Sequence, residues 1–373
     1  MKQLWKKEIL SRVPCFWYLV CRLLGPFFWL HRALRTPKTL RETRLCIEAG
    51  IEGWKIIEYE ELYQSAVEYL GADKVAKLEV TPEVNYLTQV REVIEKELPT
   101  HYAYSPRTGS ENKFEGFWQA VRISILLYTR RIVPIVFLAD FHFRPFRTQA
   151  FIVSALNGLV VTVVSPKTIS PILPHRRILG PHMMPFSLRS LKNLRLKYEG
   201  TKREILNEVV FSGSLYEPRT TILGEMKKKL AEQGIEFKIM TRLPGEERVP
   251  SEEYWERLSS GRIVVTTAEQ TEMPGVDWPW VLHLVYRYFE VLACGSVLVA
   301  PKFEGVGKCF RPDVDFMSFQ DVDDAVAGIV DLLSDESKLE DIRRSGMKRV
   351  ESLVESEAFW GGIDGCLGPD SMK

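Results

Sequence analysis

Between Tyr286 and Pro301 the chain reads YRYFEVLACGSVLVAP, which places a helix, a glycine stop and an unbroken apolar run end to end. Leu282, Val285, Phe289 and Leu292 recur at helical spacing and make an apolar stripe. His283, Arg287, Glu290 and Cys294 fall on another face of the same helix. Gly295 stands where a helix ends in a left-handed residue. Ser296–Ala300 has no polar alternation, so it reads as a strand buried on both faces, and such strands belong to parallel sheets covered by helices. A charged stripe leading away from the core, beside the carboxyl ends of a parallel sheet, is where open α/β folds hold ligands. The competing expectation is a solvated Arg287–Glu290 pair, worth only a few tenths of a kcal/mol.

The sequence on either side repeats the same alternation. Glu208–Ser214 reads as a strand, Arg219–Gln233 as a helix, Glu236–Met240 as a strand and Ser251–Ser260 as a helix with Ser251 as N-cap. Arg262–Thr267 and Asp315–Phe319 read as further strands, and helices follow at Asp321–Ser334 and Ser337–Val354. Regular strand–helix alternation predicts a doubly wound parallel sheet. Its first turn, FSGSLYEPR from Phe211 to Arg219, has small residues that let backbone N–H groups approach an oxyanion, and Pro218 beside a helix start. Arg219 is placed there to clamp a diphosphate. The turn is neither a Walker motif nor a G-x-G-x-x-G fingerprint, which weakens the ATP and dinucleotide readings. Glu304-Gly305-Val306-Gly307-Lys308 adds a second glycine-bearing loop at the same sheet end, with Lys308 as a phosphate contact or a plain surface lysine.

Residues from about 40 to 190 point to a second domain. Segments 54–72, 82–97 and 118–128 have helical apolar faces, and Val133–Ala139 and Leu159–Ser165 are apolar strands flanking a helix from about Thr148 to Leu156. A strand–helix–strand unit again implies a parallel sheet. Asp140, His142, Arg144 and Arg147 follow the end of its first strand. An Asp or His there serves as a general base or, alternatively, as a helix cap or structural ion pair. His182 and Arg107, the latter in a polar loop, are further residues on that side.

Net charge matters here because +1 overall conceals +8 over residues 1–45 and −7 over the rest. The body has no electrostatic footprint for nucleic acid. Residues 13–34 hold apolar runs Val13–Cys21 and Leu23–Leu30 interrupted by Arg22, each shorter than the ~18–20 residues that span a bilayer. Trp and Phe interleaved with Lys and Arg suit a helix lying in a membrane interface, and a soluble helix packed on the body is the alternative. Six scattered cysteines without metal or redox spacing suit a reducing compartment.

Taken in order, FSGSLYEPR, EEYWERLSSGRIVV, YRYFEVLACGSVLVAP, EGVGK and FQDVDDAVAGIVDLL resemble the carboxyl-terminal half of the group-1 glycosyltransferases of GT-B fold, especially the spore-maturation-type branch, over roughly residues 205–350. The resemblance implies an α/β chain of two Rossmann-like domains facing a cleft. A membrane-interface segment would occupy 1–40, an acceptor domain 41–195, a nucleotide-sugar domain 196–345, and a segment crossing back 346–373. It implies that Glu290 holds the donor ribose, that Gly213, Ser214 and Arg219 face the diphosphate, and that no metal or other cofactor is needed. Arg287 and Lys308 join the donor side. Arg107, Arg144, Arg147 and His182 stand on the acceptor side, with Asp140 first and His142 second as base if the reaction inverts. Retaining members carry a second Glu eight residues before the ribose Glu, where this chain has Leu282, and TEMPGVDWPW at 271–280 is an unusual insertion.

The expected activity is therefore transfer of a sugar from a nucleotide-sugar donor to a glycan or lipid-linked acceptor at the cytoplasmic face of a membrane. A nucleotide-sugar epimerase of the same fold and a non-catalytic scaffold remain as alternatives, because fold does not fix function.

Overall fold

The structure, a computed structural model, describes residues 40, 44–51, 57–81, 84–106, 113–139, 144–154, 158–169, 177–182, 187–198, 204–241, 251–267 and 283–367. It divides into two units, residues 1–184 with 359–373, and residues 185–358. The basic segment 1–39 lies outside the described residues. Among those described, no helix is long and apolar enough to cross a membrane.

The first unit holds strands β1 (Leu45–Ile51), β2 (Val75–Val80), β3 (His101–Tyr104), β4 (Val133–Leu138), β5 (Leu159–Thr162) and β6 (Ile178–Leu179). Helices α1 (Ile57–Leu70), α2 (Tyr86–Glu97), α3 (Lys113–Thr129), α4 (Arg144–Ser154) and α5 (Pro166–Ile169) alternate with them. The strands pair in parallel in the order β2-β1-β3-β4-β5-β6. Leu45, Ile47, Ala103, Ile135, Phe137 and Val161 form the sheet side of one core, and Leu62 and Ala66 of α1 cover it. Phe359, Trp360 and Ile363, from the chain's last described helix, complete that core. Trp360 Nε1 donates to Ser65 Oγ at 3.1 Å, and Asp364 Oδ1 accepts from the Leu40 amide at 2.5 Å.

The second unit begins with α6 (Leu188–Tyr198) and continues with β7 (Asn207–Ser212), α7 (Arg219–Glu232), β8 (Phe237–Met240), α8 (Ser251–Ser259) and β9 (Gly261–Val265). Next come α9 (Arg287–Ala293), β10 (Val297–Pro301), β11 (Met317–Phe319), α10 (Val322–Ser334) and α11 (Glu336–Val354); α12 (Ser356–Leu367) then leads back into the first unit. All strand pairs are parallel, in the order β11-β10-β9-β7-β8. In chain order this is 2-1-3-4-5 read from the β8 edge, so the winding direction reverses between β7 and β9. The first sheet reverses in the same way between β1 and β3.

Several elements differ from the sequence reading. The central helix is short: it starts at Arg287, with Tyr286 as its N-cap residue, so His283 and Leu284 precede it, and Leu282 lies outside the described residues. Its second face is not a solvated stripe, because His283, Glu290 and Cys294 are all buried. Gly295 ends it with φ +73°, as a left-handed stop requires. α4 starts at Arg144 rather than Thr148, since Pro145 falls in a first turn that needs no N–H from it. Strands β1, β2 and β3 carry no strong apolar run. β2 lies at the sheet edge, which is why Lys77 and Glu79 alternate with its buried residues. The stretch Asp315–Phe319 forms a strand only from Met317, because Asp315 is spent on a turn, accepting from the Arg311 amide at 2.8 Å and Ser345 Oγ at 2.9 Å. Asp321 caps α10, as expected, by accepting from the Asp324 amide at 2.9 Å. Cys46, Cys294, Cys309 and Cys366 are free thiols.

α11 comes close to α9 because Gly346 has no side chain. A Cβ there would lie 2.5 Å from the Asp315 carbonyl oxygen and 2.7 Å from Leu292 Cδ2. Gly346→Ala is therefore expected to destabilise the second unit by about 1–3 kcal/mol through overpacking. The check is the urea midpoint of unfolding, and a midpoint equal to that of the natural chain counts against this contact.

Candidate functional site

The carboxyl ends of β7, β9 and β10 bring three turns to one edge of the second sheet. β7 delivers Gly213 and Ser214, β9 delivers Thr266 and Thr267, and β10 delivers the turn Glu304–Lys308, where Gly305 has φ +90°. β7 and β9 are the neighbours at which winding reverses, and in open α/β sheets that crevice is the expected ligand position.

Arg219 bridges the two turns. Its Nε donates to Thr267 Oγ1 at 2.8 Å, Nη2 to the Thr267 carbonyl at 3.0 Å and Nη1 to the Ser214 carbonyl at 2.9 Å. Three of the five guanidinium N–H groups are thus committed to protein oxygens. The residue is only 9% exposed, and among the described residues it pairs with no carboxylate. Burial pushes its pKa down to about 10, and the nearby Arg287 charge acts in the same direction. The cation is supported from below by rings: Tyr216 at 4.2 Å and Phe211 at 5.5 Å from the guanidinium carbon.

The Arg287 guanidinium carbon lies 5.9 Å from the centroid of the same Phe211 ring and 5.5 Å from that of Tyr254. Its Nη1 donates to the Ser212 carbonyl. Gly213 makes this approach possible, since a Cβ there would sit 3.2 Å from Arg287 Nη2. Arg287 Nε is 3.4 Å from Glu290 Oε2, with the two side chains 17% and 9% exposed. Burial opposes the Arg287 charge, but Tyr254 and Glu290 more than offset it and its pKa is raised. The same Glu290 oxygen accepts from Tyr254 Oη at 2.5 Å. The pair is therefore a buried, hydrogen-bonded group rather than the solvated one that spacing alone allowed.

Among the described residues, two guanidinium groups and one carboxylate leave this sheet edge with an excess positive charge held largely out of water. Such a charge is costly unless an anion completes it. The arrangement is chemically suited to a phosphate-bearing ligand with a hydroxyl-rich part near Glu290.

Of the remaining sequence candidates, Lys308 is exposed on the β10 turn, its carbonyl accepting from Arg349 Nη2 at 2.9 Å. In the first unit, Arg147 is buried in α4. His182 is half-buried with its ring edge-on to Phe359 at 5.6 Å, while its amide donates to the Thr162 carbonyl at 2.7 Å. Arg144 begins α4, and Asp140, His142 and Arg107 lie outside the described residues. Sequence reasoning missed Tyr254 and Thr267, which no motif spacing flags. It also missed Glu48, a fully buried carboxylate at the reversal point of the first sheet that accepts from Tyr102 Oη at 2.6 Å and from Tyr86 Oη.

Residues 210–357 match the glycosyl transferase-like family model. No curated protein matches the chain. Among solved structures, HepE from Anabaena in complex with UDP-glucose is similar at 13% identity and TM-score 0.52, covering 87% of this chain and 99% of that one. TarM of S. aureus, solved as a point mutant with fondaparinux, α-GlcNAc-glycerol and UDP, is similar at 10% identity and TM-score 0.50, over 76% and 59% of the two chains. AviGT4, a glycosyltransferase involved in avilamycin A biosynthesis, is similar at 9% identity and TM-score 0.50, over 87% and 98%.

Arg219→Met is expected to cost less than about 1 kcal/mol of ligand-free stability, because removing a buried charge that no carboxylate among the described residues pairs offsets the lost hydrogen bonds. The same change should abolish the rise in melting temperature that inorganic pyrophosphate gives the natural chain. Equal pyrophosphate stabilisation of both proteins would show that the charge excess is not an anion site.

Proposed function

We propose that this chain, whose residues 210–357 match the glycosyl transferase-like family on an α/β fold of GT-B type, transfers a sugar from a nucleotide-sugar donor to a glycan or lipid-linked acceptor. The observation that carries the reading is Arg219, a buried guanidinium with no carboxylate partner among the described residues, beside Arg287 at the reversal point of the second sheet. A donor diphosphate supplies the missing negative charge. Gly213 and Ser214 offer backbone to it, and Lys308 reaches it from the β10 turn. Glu290 accepts from the ribose hydroxyls.

Sugar transfer breaks the bond between the anomeric carbon and the diphosphate, so negative charge grows on the leaving group. Preorganised cations at that position stabilise the transition state more than the ground state. Arg219 and Arg287 are fixed by carbonyls and rings before any ligand arrives, and in this reading they do the work for which other enzymes recruit a metal ion. HepE and TarM were solved with UDP-containing ligands, which makes uridine donors the first to test. On the acceptor side, Asp140 is the first choice of base and His142 the second, with Arg107, Arg144, Arg147 and His182 contributing to acceptor binding. The basic aromatic segment 1–40 holds the enzyme on the inner face of the cytoplasmic membrane, where a lipid-linked acceptor is met.

A thermal-shift panel of nucleotide sugars identifies the donor, and calorimetry with that donor then tests the site. Glu290→Ala should weaken binding at least about tenfold, the size of a lost hydrogen bond to a charged group. Transfer to acceptor should persist in EDTA. A panel with no response at all, or unchanged binding in the variant, removes the donor site from this place.

A further inference from the structure

Tyr254 sits in the first turn of α8, and neither the spacing of the sequence motifs nor the resemblance gives it a task. Its hydroxyl donates to Glu290 Oε2 at 2.5 Å, the length of a charge-assisted bond. We propose that Tyr254 is a positioning residue of the donor site, fixing the Glu290 carboxylate so that it meets the ribose hydroxyls in one orientation. The inference rests on the reading of Glu290 as the ribose contact.

A glutamate needs such a device. Its terminal torsion is broad, so the plane of a carboxylate is poorly set by the backbone. α9 is only seven residues long and has Glu290 in its first turn, so the helix orients the Cα–Cβ bond and little more. Arg287 comes from the same helix and lies 3.4 Å from Oε2 through Nε. That contact supplies charge but is too long to fix a plane. Tyr254 comes from a different helix and closes the geometry from outside. Its ring is held in turn: Trp255 stands edge-on at 5.6 Å and the Arg287 guanidinium carbon lies 5.5 Å from its centroid. With Arg287 also bonded to the Ser212 carbonyl, α8, α9 and the end of β7 are joined through one oxygen of one carboxylate. Tyr254 and Arg287 both engage Oε2, so this end of the carboxylate is held from two elements.

The phenol keeps its proton, and so stays a donor, at neutral pH. Burial raises its pKa well above the usual tyrosine value, with the Arg287 charge opposing and Glu290 reinforcing the shift. A phenylalanine at 254 would keep the ring contacts and lose only the donated bond, which makes the substitution a clean probe.

The experiment is calorimetry of UDP and of 2′,3′-dideoxy-UDP with the natural chain, Tyr254→Phe, Glu290→Gln and the double variant, with the ADP and GDP pairs run in parallel. Tyr254→Phe should weaken UDP about tenfold, leave the dideoxy analogue unchanged, and add little in the Glu290→Gln background. An equal penalty on both nucleotides, or additive losses in the double variant, overturns the proposal in favour of a merely structural tyrosine. Loss of pyrophosphate stabilisation in Tyr254→Phe overturns it likewise, since the site itself has then collapsed. If the natural chain binds each nucleoside diphosphate and its dideoxy analogue alike, the ribose reading of Glu290 fails first and the positioning role fails with it.

Discussion

Arg219, a buried guanidinium that among the described residues has no carboxylate partner, joins the turns at the carboxyl ends of β7 and β9, and the second unit's sheet edge depends on it. Arg219 is retained in a place where charge is expensive, and the fold spends three hydrogen bonds and two aromatic rings on keeping it there. Those bonds tie the turn after β7 to the turn after β9, so the cation also clasps the two strands at which winding reverses. Removing water from such a group strengthens its attraction for an incoming anion.

α9 then connects this charge to the rest of the unit. One side of the helix carries Arg287 and Glu290, and the other is pure core: Tyr288, Val291 and Leu292 are buried completely. Tyr288 reaches the Pro301 carbonyl at 2.9 Å and lies among Phe303, Phe310 and Phe316. Gly346 lets α11 press on Leu292 from behind. A seven-residue helix would be marginal alone, and packing rather than helix propensity holds its charged side in register with the Gly213 turn.

Much of this was legible in the sequence. The unbroken apolar runs that became β7, β9 and β10 announce a parallel sheet, and Gly213, Arg219, Arg287 and Glu290 do gather at one sheet edge. What failed to show has physical causes. β1 carries Glu48 within the strand, β2 is an edge strand with a polar alternation, and β3 has four residues, so none gives a strong apolar signal. Arg287 and Glu290 are three apart, and spacing cannot tell a buried pair from a solvated one. Only the tertiary neighbours Tyr254 and Ser212, 36 and 75 residues from their partners in sequence, decide that. Thr267 was hidden for the same reason, since its role is defined by a side chain 48 residues away.

The last described helix has a consequence for the order in which the protein is made. Phe359, Trp360 and Ile363 fill the core beneath β1, β4 and β5, yet they emerge after the whole second unit. Domains generally mature from the amino terminus during synthesis, but here the first unit leaves the ribosome before Trp360, which fills its core and donates to Ser65 Oγ, has been made. It must wait, part-finished, while residues 185–358 build a different core. Residues 359–363 thus belong to a core that the chain began some three hundred residues earlier.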